Sequence, residues 1–89
     1  MYYVYLLQSK KDGSLYVGYS NDLKRRFEEH NNGLSVSTKF KAPFELIYYE
    51  SYRARSDAKI REHMLKKHAQ AYTALKQRIT ASLTKPISG

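Results

Sequence analysis

Tyrosines, one arginine, one histidine and one glutamate are the residues of this 89-residue chain whose spacing could do chemistry. If Asp12-Gly13 forms a two-residue hairpin turn, Leu7 faces Gly18 and Tyr5 faces Ser20. Side chains alternate across strands, so Tyr3, Tyr5, Tyr16 and Gly18 share one sheet face, and Val4, Leu6, Leu15 and Val17 the other. The first face sets phenol hydroxyls around a glycine, and an interior glycine weakens a strand unless something approaches closely there. On a helical wheel Leu23, Phe27, His30 and Leu34 form one buried stripe, with Arg26 on its edge and Arg25 toward solvent. Arg26 either snorkels or clamps a phosphate bidentately. His30 reads either as a core histidine or as a proton-handling group. Glu62 falls within the apolar stripe of a later helix, where a carboxylate pairs with a cation (Arg26, Lys59 or Lys66) or binds a metal. A phosphodiester hydrolase built from this inventory works with one carboxylate, one arginine, tyrosines and one Mg²⁺.

Other chemistries find no residues. Without cysteine there is no disulfide framework, thiolate metal site or cysteine nucleophile. There is no phosphate-binding glycine loop, no Gly-x-Ser-x-Gly elbow and no acidic cluster for two metals. His63 and His68 stand five residues apart, which on one continuous helix keeps them from sharing a zinc ion.

The elements that must position these groups follow from pattern. Tyr2 to Ser9 and Leu15 to Tyr19 read as strands, and Phe44 to Tyr52 as a third. Ser20-Asn21-Asp22 opens a helix to about Asn32, which Asn31-Asn32-Gly33 stops. Ser56-Asp57 caps a second helix to about His68, and a third covers Gln70 to Leu83. Ser35 to Pro43 is a basic loop. The order ββαβα with an extra C-terminal helix is an α+β fold, a three-stranded antiparallel sheet flanked by helices. Residues 1–83 are expected to form one domain and 84–89 a flexible tail.

Sixteen Lys/Arg against eight Asp/Glu leave a net charge of +8. Residues 46–89 hold nine of those cations and three of the acids, so most of the excess lies in the C-terminal helices. Clustered cations suit a phosphate backbone, because binding releases condensed counterions. No apolar run is long enough to span a membrane. Met1-Tyr2-Tyr3-Val4 reads as a strand and not a leader, so a cytoplasmic domain is expected.

Tyr3-Val4-Tyr5, Tyr16-Val17-Gly18, Asn21-Asp22-Leu23-Lys24-Arg25-Arg26 and Glu28-Glu29-His30-Asn31 resemble the GIY-YIG nuclease superfamily. Within it they are most similar to the small stand-alone UPF0213, or YhbQ-like, group. Lys39, Pro43-Phe44-Glu45-Leu46, Tyr48-Tyr49-Glu50 and Arg61-Glu62-His63-Met64-Leu65-Lys66 extend the likeness across residues 2 to about 68. The resemblance implies a DNA endonuclease using a single Mg²⁺ or Mn²⁺, with no small-molecule cofactor and no membrane partner. By position it implies catalytic Tyr5, Tyr16, Arg26 and His30, and metal-binding Glu62. A tyrosine takes the proton of the attacking water, helped by neighbouring cations. Gly18 leaves room for the backbone phosphate, and Lys39, Lys41, Lys66 and Lys67 track the nucleic acid. Structured or damaged DNA, as in DNA repair, is the substrate class it points to. Three positions depart from the pattern: Tyr3 stands where the motif name has glycine, Tyr19 follows Gly18 where some branches carry lysine, and no asparagine follows Asn32. The same fold without efficient cutting would be a nucleic-acid-binding or partner-docking module.

Overall fold

Strand β1 (Tyr2–Ser9) is the middle strand of the sheet, and its composition explains why: Val4, Tyr5, Leu6 and Leu7 are all buried, so both of its faces must be covered. The structure, a computed structural model, describes residues 1–83. β1 pairs antiparallel with β2 (Leu15–Ser20) on one side and with β3 (Phe44–Tyr52) on the other, giving the order β2-β1-β3. Helix α1 (Leu23–Asn31) covers the face of Tyr5, Leu7, Tyr16 and Phe44. Helices α2 (Arg55–Lys67) and α3 (Ala69–Arg78) cover the face of Val4, Leu6 and Val17. A short 3₁₀ turn, Thr80–Ser82, follows α3. The α+β architecture is the expected one; the tail expected at 84–89 lies outside the described residues.

The hairpin differs from the two-residue turn. Gly13 N–H donates to the Ser9 carbonyl at 2.9 Å and Ser9 N–H to the Ser14 carbonyl at 2.8 Å, so Lys10 to Gly13 form the loop. Asp12 accepts from both Ser14 N–H and Ser14 Oγ, and Gly13 takes φ +77°. Tyr5 therefore pairs with Gly18 and Leu7 with Tyr16, two residues from the expected register. A shift of two keeps every side chain on its expected face.

A bulge at Ile47 breaks the β1–β3 register between Leu6 and Leu7. Without it, Tyr48, Glu50 and Tyr52 would share the face of Phe44 and Leu46. The extra residue turns Tyr48 and Tyr52 toward the α2 side, while Tyr49 meets Tyr3 on the α1 side. Glu50 then accepts hydrogen bonds from both flanking phenols and from Arg61 Nε and Nη of α2, at 2.9–3.1 Å for the arginine. This ion pair fixes α2 against β3.

Helix boundaries shift by a few residues. Asp22 caps α1 as expected, its carboxylate accepting Arg25 N–H at 3.1 Å. Gly33 at φ +72° ends the helix, with Leu34 N–H donating back to Glu29. Leu34 thus lies beyond the helix and is exposed, and the buried stripe stops at His30. α2 starts at Arg55 after Ala54, which offers no side-chain cap, so Ser56 and Asp57 lie inside the first turn. His68 is extended between α2 and α3, and this break brings its ring to 6.1 Å from that of His63. Their separation, expected for one continuous helix, does not hold.

Candidate active site

Gly18 is the position around which the site is built. A Cβ there would fall on the Tyr5 ring and hydroxyl, so the missing side chain lets the Tyr5 phenol cross edge strand β2. The expected room for a backbone phosphate is therefore taken by Tyr5, and Gly18 serves packing of the site.

Tyr5 is 1% exposed, and its hydroxyl hydrogen-bonds His30 Nε2 at 2.9 Å. His30, fully buried, uses Nδ1 on Thr38 Oγ1 at 2.7 Å and lies edge-on to the rings of Tyr5, Tyr16 and Phe44, nearest Tyr16 at 5.0 Å. Burial, together with the adjacent Arg26 charge, pulls His30 down to about 4, so the imidazole is neutral near pH 7. Burial pushes the Tyr5 phenol up to about 12; the nearby Tyr16 and Glu62 add to this and Arg26 opposes it. Among this chain's own groups, desolvation at Tyr5 outweighs the Arg26 charge. Tyr16, half-buried on the edge strand, keeps contact with solvent.

Arg26 and Arg25 separate as the helical period demands: their side chains are 30% and 54% exposed. Arg26 Nη1 donates to Glu29 at 3.0 Å and Nη2 to Ser35 Oγ at 3.3 Å, and its charge acts on both Tyr5 and Tyr16. It opens onto a polar cleft of about 510 Å³ also lined by Tyr2, Tyr19, Arg25, Glu29 and Arg55. A larger hollow of about 720 Å³, bounded by Tyr3, Lys24, Phe27 and Tyr49, includes none of the predicted catalytic residues.

Glu62 stands on α2, on the opposite side of the sheet from α1. Its carboxylate, 15% exposed, pairs with Lys59 at 3.3 Å and Lys66 at 3.0 Å. Lys66 also reaches toward the Tyr16 ring, 5.9 Å from its centroid, so this group and the α1 group approach the same edge. Among the described residues no three His, Asp or Glu side chains cluster. One carboxylate suits an ion such as Mg²⁺, which keeps waters and takes ligands from a bound phosphate, once the two lysines yield. Lys41 pairs with Asp12 and Lys39 lies over the Phe40 ring; both are outside the tyrosine–histidine group. Lys67 is exposed at the end of α2.

Sequence reasoning missed Ser35 and Thr38, both buried and bonded to Arg26 and His30. Hydroxyl residues in a polar loop carry no periodic signal, so nothing marked them. It also missed Asn31, whose side-chain carbonyl accepts Phe44 N–H at 2.6 Å and ties α1 to β3.

Residues 1–78 match the family model for the GIY-YIG catalytic domain. The chain is 41% identical over 66 residues to a UPF0213 protein of Staphylococcus saprophyticus, covering 73% of this chain and 79% of that one. It is also 41% identical over 68 residues to a UPF0213 protein of Clostridium perfringens, covering 75% and 72%. The solution NMR structure of a UPF0213 protein from Bacillus halodurans superposes with a TM-score of 0.54 at 28% identity, over 96% of this chain and 99% of that one. By that match and those identities, the chain belongs to the GIY-YIG domain family, among its UPF0213 proteins.

Proposed function

We propose that this protein is a metal-dependent endonuclease that hydrolyses DNA phosphodiester bonds at the β2 edge. The observation that carries the reading is the Tyr5–His30 hydrogen bond set beside Arg26, which opens onto a basic cleft. Arg26 is held by Glu29 and Ser35 before any substrate arrives, so its guanidinium meets a scissile phosphate without reorganising and stabilises charge developing on it. Tyr16 is the better placed tyrosine to take a proton from the attacking water, because Tyr5 is buried and held neutral. Tyr5 and His30 act as its support: His30, hydrogen-bonded to Thr38 through Nδ1 and to the Tyr5 hydroxyl through Nε2, fixes that hydroxyl beside Arg26. Glu62 would hold Mg²⁺ or Mn²⁺, which when bound supplies positive charge at the phosphate oxygens. Lys59 and Lys66, released from Glu62, are then available to flanking phosphates.

Nicking of supercoiled plasmid in Mg²⁺ or Mn²⁺ tests this. Arg26→Ala is expected to lower the rate by about 10²–10³-fold, as for loss of a transition-state donor, and Arg25→Ala by no more than a few-fold. Equal trace cleavage by wild type and Glu62→Ala would remove the enzyme reading. One observation favours a second reading, a nucleic-acid-docking module: the Glu62 carboxylate is already neutralised by two lysines. That reading predicts DNA binding that survives Glu62→Ala, with no metal-dependent cutting by either form.

A further inference from the structure

The segment from Leu34 to Lys41 presents two faces. Inward, Ser35 and Thr38 are buried against Arg26 and His30. Outward, it leaves Leu34, Val36 and Phe40 exposed, Phe40 by 73%. Phe40 is not on a slack loop, for it lies in a 3₁₀ turn, Lys39–Lys41, tied to the β1–β2 loop at several points. Lys11 Nζ donates to the Phe40 carbonyl at 3.2 Å, Ser9 Oγ donates to the Lys41 carbonyl at 2.6 Å, and Lys41 pairs with Asp12. Lys39 Nζ stands 5.0 Å from the Phe40 ring centroid. A large apolar ring is thus held in water, on a fixed backbone, among the cations of Lys11, Lys39 and Lys41.

A ring bordered by cations suits a partner that offers an apolar face and anionic groups together. A nucleotide strand matches both features, with a base face for the ring and phosphates for the ammonium groups. Inside a duplex both faces of a base are already stacked, so only an unpaired or terminal base can receive the ring. We propose that Phe40 is a base-stacking side chain, and that this turn captures an unpaired nucleobase while Lys39 contacts an adjoining phosphate. The proposal rests on the nucleic-acid reading above and adds the form of the substrate. Because Thr38, two residues before Phe40, touches His30, the captured base would lie close to the site, and the preferred nucleic acid carries a single-stranded segment there.

The chain contains no tryptophan, so Phe40→Trp introduces a single indole at an exposed position, excited at wavelengths the nine tyrosines do not absorb. It is titrated with a ~12-nucleotide single strand, within the range that small single-strand-binding OB domains cover, with the blunt duplex of the same sequence, and with that duplex bearing an overhang. Anisotropy of labelled strands reads binding independently. Quenching of the indole by the single strand and the overhang, and little by the blunt duplex, is expected. Phe40→Ala should weaken single-strand binding by about 5- to 100-fold, the range seen for lost base–aromatic stacks, and Phe40→Tyr should retain it. Binding without quenching, equal quenching by the blunt duplex, or unchanged affinity of Phe40→Ala would overturn the stacking role and leave the nuclease reading standing. If no nucleic acid binds at all, both fall together.

Discussion

Tyr5 can reach His30 only because position 18 has no side chain, and that dependence sets the sharpest prediction at the residue scale. Gly18→Ala must displace the Tyr5 ring, at a cost of about 1–3 kcal/mol for overpacking, or roughly 4–8 °C in Tm per kcal/mol for a domain this size. The displaced hydroxyl would leave His30, so nicking should fall even where the variant folds. A folded Gly18→Ala protein with wild-type activity would show that the Tyr5–His30 bond is dispensable. His30 itself gives a pH signature. Its folded pKa, about 4, lies below the ordinary 6.5, so between those values the unfolded chain takes up a proton that the fold refuses. Stability should therefore decline as pH falls from about 6.5 to 4, and His30→Gln should flatten that part of the profile in denaturant titrations. The sequence separated Arg26 from Arg25 because helical period alone decides it. It could not identify what fills the space over Gly18, since an absent side chain does not name its neighbour. Nor could it rank the tyrosines, because burial is what holds Tyr5 neutral, and residue pattern alone does not say which phenol is desolvated.

At the scale of elements, strand identity and facing were legible, and β3 was expected with the bounds it has. What escaped was register, since it depends on a four-residue loop stabilised by Ser9 and Asp12 side chains and on the bulge at Ile47. That bulge creates the Glu50–Arg61 pair, a feature with no signature in the sequence. Burial raises the Glu50 carboxyl, but hydrogen bonds from Arg61, Tyr48 and Tyr52 outweigh it and hold it below the usual range. Its contribution to stability is thus present above the unfolded carboxylate pKa, ~4.3, and is lost as pH falls through the lower folded value. Glu50→Gln leaves Arg61 without its anion and should cost about 2–4 kcal/mol, below the full penalty for a wholly buried pair because Arg61 is partly wet. Joint replacement, Glu50→Leu with Arg61→Met, should recover part of that loss. If the double variant were as unstable as the single one, apolar packing of α2 on β3 would be the wrong account of what the pair replaces.

For the whole molecule, the question is whether the net charge of +8 serves binding or only solubility. Arg25, Arg26, Lys41, Lys59, Arg61 and Lys66 are engaged in ion pairs with carboxylates of this chain. Among the described residues Lys10, Lys11, Lys24, Lys39, Arg53, Arg55, Lys67, Lys76 and Arg78 stand outside those pairs, and Arg55 lines the cleft onto which Arg26 opens. Each cation that neutralises a DNA phosphate releases counterion, so the logarithm of affinity should fall linearly with the logarithm of salt concentration. Four or five such contacts on duplex DNA correspond to a slope of about −4, taking roughly −0.9 per phosphate. Arg55→Gln and Lys67→Gln should each make the slope shallower by about one, whereas Lys24→Gln, on the hollow that includes none of the predicted catalytic residues, should leave it unchanged. Charge acting only through solubility predicts a different outcome, with all three substitutions alike and no slope steeper than that of nonspecific screening. Equilibrium binding across about 50–200 mM salt decides between them, independently of whether the bound strand is cut.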